Sequence, residues 1–333
     1  MGIDVAGIGN ALMDALAVVD DEALLAELGL NRGVMQMVDH DQWMAIYERV
    51  RRQQDPAFHS GGSCANSIAT IGWLGGQARY FGQVGDDQMG HLYGRLLENA
   101  CGGHALRFTR DAATGKVLAI ISARDAERTM CTDLGAASQL ADFAGFEEVL
   151  REAKVTHFEG YCLFTPAFRD AVIGAMTFVR EAGRKVSIDA CDPSVVRAQP
   201  ELFWSLIDRY AHIVFLNEEE AERLTGHSDP EAALTAVVGR GEVEVAIVKL
   251  GARGSLVGTR TGLWRIPVKP VRAVDTTGAG DAYAGGFLYG WTRGWSPEAC
   301  GRLASTVAGL TVAQVGAVVA DRARMAAALA ESR

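Results

Sequence analysis

The stretch Asp275-Thr276-Thr277-Gly278-Ala279-Gly280-Asp281 carries the densest chemistry in this sequence. Two glycines at the start of a helix let main-chain N–H groups converge without Cβ obstruction, and the helix dipole favours negative charge at that end. Gly278, Ala279 and Gly280 therefore read as a phosphate-sized anion hole. A carboxylate at the mouth of such a hole would repel the anion, so Asp281 has a task beyond capping. Within reach of a hydroxyl, it could take the proton as the oxygen attacks phosphorus. Asp281 by itself would read as a helix cap with the glycines serving a turn; the complete string does not.

A second group of polar residues lies near the N-terminus. In "GNALMDALAVVDD" the alternation of a strand puts Leu12, Asp14 and Leu16 on one face, a carboxylate flanked by apolar groups. One carboxylate can accept hydrogen bonds from both hydroxyls of a vicinal diol, although an Asp on an exposed strand is also common. Gly61, Gly62 and Ser63 precede a predicted helix through Leu74, in which Asn66 adds a polar anchor. The same residues also read as a loop and helix cap. Met35, Met37 and Val38 extend the apolar surface, with Gln36 as its lone amide. Tyr161 in "FEGYCLF" could stack on a flat base, although an aromatic after a buried strand is more often core.

The elements that must position these groups follow from hydrophobic periodicity. Short apolar segments at 3–8, 155–158, 185–188, 212–216 and 245–250 read as strands, and after Leu140 they alternate with helical stretches at 146–153, 166–182, 201–209, 218–224 and 231–238. Helices are also expected at 20–30 and 39–52, the latter with an Asp near its start, and a strand at 34–38. Such alternation predicts a three-layer α/β fold with a mostly parallel sheet covered on both faces. Apolar runs broken by Asp, Gly and charged residues at 105–132 predict hairpins. The expectation is one unit over residues 1–333, with a small β-sheet lid drawn from about 11–38 and 105–133.

Several function classes are disfavoured. The 333 residues carry 41 acidic against 32 basic side chains, a formal charge of -9, which opposes nucleic acid or an anionic membrane as partner. There is no uninterrupted apolar run of about eighteen residues and no signal-peptide pattern, so a cytoplasmic protein is expected. The six cysteines form no CxxC pair and the seven histidines no HExxH, so a protein-built transition-metal site is not expected. Gly7-Ile8-Gly9-Asn10 superficially suggests a dinucleotide fingerprint, but the third glycine is missing and Leu12 stands where close helix packing would need Gly. No P-loop GxxxxGK[ST] is present.

At the DTTGAGD string the sequence resembles the PfkB, or ribokinase-like, family of carbohydrate and nucleoside kinases. The segment "GGSCANSIATIGWLGGQARYFGQVGDDQMG", residues 61 to 90, is similar to the family's N-terminal signature. "LNEEEAERLTG" resembles its NxxE element at Asn217 and Glu220, and "VKLGARG" its nucleotide-side turn at Gly251 and Gly254. The resemblance implies a ribokinase-like fold and an ATP-dependent kinase. Asp281 would be its catalytic base, with the amides of Gly278, Ala279 and Gly280 stabilising the transferring phosphoryl group. It further implies that Asn217 and Glu220 organise Mg²⁺ through water, and that Lys249, Gly251, Gly254 and Thr277 lie beside ATP. Lys249 stands where many relatives carry Thr. Asp275 and Thr277 would help to hold a monovalent cation such as K⁺, as in several relatives.

The resemblance also assigns Asp14 to the hydroxyls of the acceptor. "GNALMD" and "ERTMCTDLGAA" look most like the adenosine-kinase-like members and the bacterial sugar kinases related to them. A purine would bury well against the apolar surface, whereas a free hexose would leave apolar walls facing hydroxyls. The expected acceptor is the 5′-hydroxyl of adenosine or a related purine nucleoside. A sugar such as ribose or fructose, and a non-catalytic purine-binding sensor, are the alternatives. A monomer or homodimer binding only small molecules is expected.

Overall fold

The computed structural model describes residues 2–19, 22–125 and 127–332, with the backbone alone for Glu22. Asp20 and Asp21, where the helix expected at 20–30 begins, lie outside the described residues; the helix observed there spans Glu22–Glu27. Fifteen strands are present among the described residues: β1 (Val5–Ile8), β2 (Leu12–Val19), β3 (Met35–Met37), β4 (Ala57–Gly61), β5 (Ala78–Phe81), β6 (Gln83–Gly85), β7 (Arg107–Thr109), β8 (Gly115–Ser122), β9 (Arg128–Asp133), β10 (Val155–Glu159), β11 (Lys185–Asp189), β12 (Ala211–Asn217), β13 (Val245–Lys249), β14 (Ser255–Thr259) and β15 (Gly262–Ile266).

The large sheet runs β15-β14-β13-β12-β11-β10-β1-β5. Pairing is parallel from β5 to β13, and β14 and β15 add antiparallel strands at one edge. β1 is buried along its whole length, as a strand covered on both faces must be. On one side Phe158, Phe168, Phe203 and Leu216 belong to one apolar core; on the other, Ile68, Phe215, Phe287 and Leu303 belong to a second. Glu159, Asp189, Asn217 and Lys249 terminate β10, β11, β12 and β13. Four polar side chains thus gather at the carboxyl edge, where open α/β sheets bind ligands.

The small sheet has the order β3-β9-β8-β2-β4. Ala15, Ala17, Leu118, Ile120 and Cys131 on one face pack with Trp43 and Tyr47 of the helix His40–Arg51. That helix starts at a reciprocal capping box between Asp39 and Gln42. The register places Asp14 beside His59 and Val117 on the opposite face, with Ala119 beside Met130 and Met130 beside Met35. Val18, Met35 and Met37 are exposed there.

Two sequence expectations change. β4 follows no alternating pattern and is set by antiparallel pairing with β2. Within 105–132 only β8 and β9 form a hairpin; β7 pairs in parallel with β6. Short strands take their partners from distant chain, which local pattern does not encode.

The helices Ser63–Trp73, Ala279–Trp291 and Pro297–Val312 meet almost backbone to backbone. A β-carbon on Gly285 would lie 2.7 Å from the Ser67 carbonyl oxygen, and one on Gly286 would lie 2.9 Å from Ala304 Cα. This contact sets the start of the Ala279 helix against the start of the Ser63 helix. Gly285→Leu is expected to destabilise the protein by about 3 kcal/mol through overpacking and to reduce turnover of the folded fraction, as read by denaturant melts with parallel activity assays.

Candidate active site

The Ala279 helix starts at Gly278, whose φ of 70° is left-handed and where a β-carbon would strike Ala317 at 2.4 Å. Only glycine fits that position. The first N–H groups of a helix lack intrahelical acceptors; here, in the segment read as a cradle, Ala279 N donates to the Thr276 carbonyl at 3.3 Å, and Gly278 and Gly280 flank it at the helix start. Asp281 lies in the first turn. Its Oδ1 accepts from Ser63 Oγ at 2.7 Å and its Oδ2 from Asn66 Nδ2 at 2.9 Å, while Ser67 Oγ donates to its carbonyl at 3.0 Å. Burial raises its pKa, the two side-chain donors oppose the rise, the negative charge of Asp189 adds to it and Lys249 counters it.

Asp14 is half-buried on the inner face of the small sheet, and a β-carbon on Gly61 would lie 2.3 Å from its carboxylate. That glycine is what lets the carboxylate lie there. Burial, followed by the charge of Asp281, pushes the Asp14 carboxyl up to about 7. Gly62 (φ 94°) caps the Ser63 helix without a side-chain bond. The first turn of that helix is pinned by Glu159, which accepts from Cys64 N at 2.7 Å, Asn10 N at 2.8 Å and Asn10 Nδ2 at 2.7 Å. Burial pushes the Glu159 carboxyl up to about 7 despite these donors.

On the other side of the cradle, Lys249 Nζ donates to both carboxylate oxygens of Asp189, at 3.1 and 2.9 Å. Asn217 and Glu220 form a reciprocal capping box at the end of β12: Glu220 accepts from Asn217 N at 2.6 Å and Nδ2 at 2.8 Å, and Asn217 Oδ1 accepts from Glu220 N at 2.8 Å. Burial pushes the Glu220 carboxyl up to about 7, with Lys249 opposing. Carboxylate oxygens engaged in this way keep lone pairs for water, which fits a hydrated divalent ion better than direct ligation. Among the described residues no three His, Cys, Asp or Glu side chains converge as a metal cage. Gly251 and Gly254 frame the short turn from β13 to β14.

Gln36 and Asp275 occupy surroundings the sequence did not suggest, while Tyr161 takes the core setting that an aromatic after a buried strand favours. Gln36 pairs in register with buried Cys131, so it lies on the face opposite Asp14, and its amide bonds Asn31 instead. Tyr161 is partly buried against the large-sheet core. Asp275 accepts from Thr277 N and Oγ1 and from Gly316 N, and Arg128 Nη1 lies 3.3 Å from its Oδ1. A guanidinium therefore already stands where a monovalent cation would use the Asp275 side chain.

Arg128 was not singled out from the sequence. It extends from β9 of the small sheet and donates to Thr276 Oγ1 at 3.1 Å, so it ties that sheet to the cradle block. Asp189 and Cys191 were missed as well; "DACDP" immediately after a strand was the available signal. Cys191 has a φ of 69° without being glycine, and its Sγ lies 3.2 Å from Ser63 Oγ. Ser63 thus touches both Asp281 and a strained turn.

A glycine-led helix start, a buried carboxylate and a small-sheet face carrying a second carboxylate fit a phosphotransferase with an alcohol group as acceptor, on a ribokinase-like fold. The pfkB family carbohydrate kinase pattern matches residues 34–323. The adenosine kinase of Saccharomyces cerevisiae is 28% identical over 330 residues, which cover 93% of this chain and 94% of that protein. Fructokinase-1 of Oryza sativa subsp. japonica is 33% identical over 244 residues, covering 70% and 74%. The crystal structure of adenosine kinase from Sinorhizobium meliloti superposes with a TM-score of 0.89 at 32% identity, covering 99% of this chain and 100% of that one. The chain belongs to the pfkB family of carbohydrate kinases.

Because the Ser63 and Asn66 bonds favour the charged form of Asp281, Ser63→Ala is expected to move the acid limb of kcat/KM to higher pH, with a smaller effect on the plateau. A pH–rate profile of both proteins checks this.

Proposed function

We propose that the protein transfers the γ-phosphoryl group of ATP to the 5′-hydroxyl of a purine nucleoside, with adenosine as the first candidate. The observation that carries this reading is the placement of Asp281 between the phosphate cradle and Asp14. Ser63 and Asn66 donate to Asp281, and the small-sheet face that carries Asp14 also leaves Val18, Met35 and Met37 exposed. The similarity to two adenosine kinases over nearly the whole chain supports a nucleoside. The fructokinase relatives keep a sugar as the second reading.

In this reading the acceptor's diol rests on Asp14. Asn66 Oδ1 is buried and has no partner among the described residues, which leaves an acceptor for a substrate hydroxyl. Asp281, whose charged form its two donors favour, takes the proton of the attacking hydroxyl as the O–P bond forms. The amides of Gly278, Ala279 and Gly280 receive the developing charge. Mg²⁺ bound with the nucleotide would supply charge neutralisation across its phosphates, and Asn217 and Glu220 would hold its waters. The small sheet acts as a lid: Arg128 fastens it to the cradle, and closure excludes water that would otherwise accept the phosphoryl group. A buried base serves no purpose in a passive purine sensor. No helix among the described residues is long and apolar enough to cross a membrane.

Asp281→Asn is expected to lower kcat by about 10³-fold while both substrates still bind; near-normal turnover would remove Asp281 from the mechanism. ADP formation measured with adenosine, other nucleosides, ribose and fructose is expected to be fastest with adenosine, and preference for fructose would establish the second reading. Since the Asp14 carboxyl is pushed up to about 7, it is protonated on the acid side and a weaker hydroxyl acceptor there. Acceptor KM is therefore expected to fall as pH rises through neutrality, and this dependence should vanish in Asp14→Asn.

A further inference from the structure

We infer that Lys249 is a catalytic residue of phosphoryl transfer: Asp189 holds its ammonium group beside the cradle, and the group gives a donor to the transferring phosphoryl group when nucleotide binds. This rests on the kinase reading and assigns a role at the reacting atoms beyond nucleotide contact.

The strand register starts the argument. Lys249 ends β13 opposite Asn217 of β12, at the carboxyl edge of the sheet. Its Nζ lies 3.2 Å from the position a β-carbon of Gly280 would take, so the ammonium sits against the first turn of the cradle helix. The absence of a side chain at Gly280 leaves that approach open.

The pair with Asp189 is unequal. The Asp189 side chain is 2% exposed and that of Lys249 is 16% exposed, so the carboxylate is sealed while the lysine side chain keeps some access to solvent. A carboxylate at that depth fixes the ammonium without competing from the solvent side. An ammonium has three donors and needs only some of them for Asp189. It can therefore keep its partner and still reach an oxygen of the incoming group.

The surroundings require such a cation. Asp189, Asp281 and Glu220 all feel the charge of Lys249. An anionic triphosphate approaching this acidic cluster meets repulsion that backbone amides and the nucleotide's own metal would otherwise have to offset. Lysine reduces it at the point where charge develops in the transition state. The lysine stays protonated throughout: the acceptor O–P bond forms, its proton goes to Asp281, the bond from phosphorus to the bridging oxygen of ADP breaks, and ADP leaves with that electron pair.

The competing explanation is that Lys249 serves only to neutralise buried Asp189. The double variant Asp189→Asn/Lys249→Met removes both charges and separates the two. If Lys249 acts on phosphorus, the single Lys249→Met and the double variant both lose kcat by about 10²–10³-fold, and Lys249→Arg recovers part of the loss. Calorimetry should show ADP still binding the double variant, without the gain in affinity that fluoroaluminate with Mg²⁺ and acceptor gives the wild type. Double-variant turnover within threefold of wild type, or an intact fluoroaluminate gain, would overturn the assignment. One measurement needs no destabilising change: the ¹⁵N resonance of the Lys249 Nζ in wild type, assigned by its absence in Lys249→Arg. It should shift when ADP–fluoroaluminate binds with acceptor and not with acceptor by itself; an unmoved resonance overturns the proposal. A wild type that phosphorylates no acceptor would refute the kinase reading, whereas failure confined to the variants refutes the lysine.

Discussion

A negative charge must be kept available next to the place where another negative charge binds, and most of the site answers that constraint. Asp281 has to be ionised to take a proton, yet it is buried at the mouth of an anion cradle and close enough to Asp14 and Asp189 to feel their charge. Burial by itself would protonate it. Two donated hydrogen bonds from the Ser63 helix and the nearby charge of Lys249 oppose that rise and favour the carboxylate, while burial still leaves its pKa above the usual carboxylate value. The helix dipole serves both partners, because the same N-terminus that favours Asp281 as an anion also favours a phosphoryl oxygen.

Those donors work only if two helix starts meet at hydrogen-bond distance. Gly285 and Gly286 permit the approach by removing the side chains that would hold the helices apart. Glu159 then fixes the entry into the Ser63 helix by taking the backbone N–H groups of Asn10 and Cys64. The loop after β1, the end of β10 and two helices are thereby locked into one body around the base. The small sheet joins that body through Arg128, whose partners Asp275 and Thr276 stand in the cradle block itself. A shift of the small sheet would therefore bear directly on the Asp275–Thr276 segment.

What could be read from the sequence was whatever chemistry is written locally. The cradle is local: a left-handed glycine, two following amides and a carboxylate in the first helical turn need no distant partner to be recognisable. The Asn217–Glu220 element is local too, and its spacing is that of a capping box. Asp14 could be placed because strand alternation assigns faces within one segment. Distant pairing defeated the same reasoning elsewhere. Gln36 looked like a pocket amide until the register with Cys131 put it on the other face. β4 exists because β2 accepts it as a neighbour, and the Lys249–Asp189 pair joins strands that are not adjacent in sequence. Arg128 gave no periodic signal at all, since a single basic residue on a short strand is ordinary until its partner is known.

The same distinction bears on the acceptor. The inner face of the small sheet places one carboxylate among Leu12, Leu16 and Val117 and leaves Val18, Met35 and Met37 open. Exposed apolar side chains on one sheet face weaken solubility unless something covers them. A sugar would satisfy Asp14 and could reach His59 beside it, but hydroxyls set against the apolar residues would lose water without gaining a partner. On the proposed reading a nucleoside would divide its demands as the wall does: its ribose would present a diol to Asp14 and its 5′-oxygen to Asp281, while the purine would cover apolar surface. Methionine suits that role because its flexible side chain follows the shape of a flat ring. The discrimination would thus come chiefly from what the wall refuses to hydrogen-bond, with Asp14 common to both classes of acceptor.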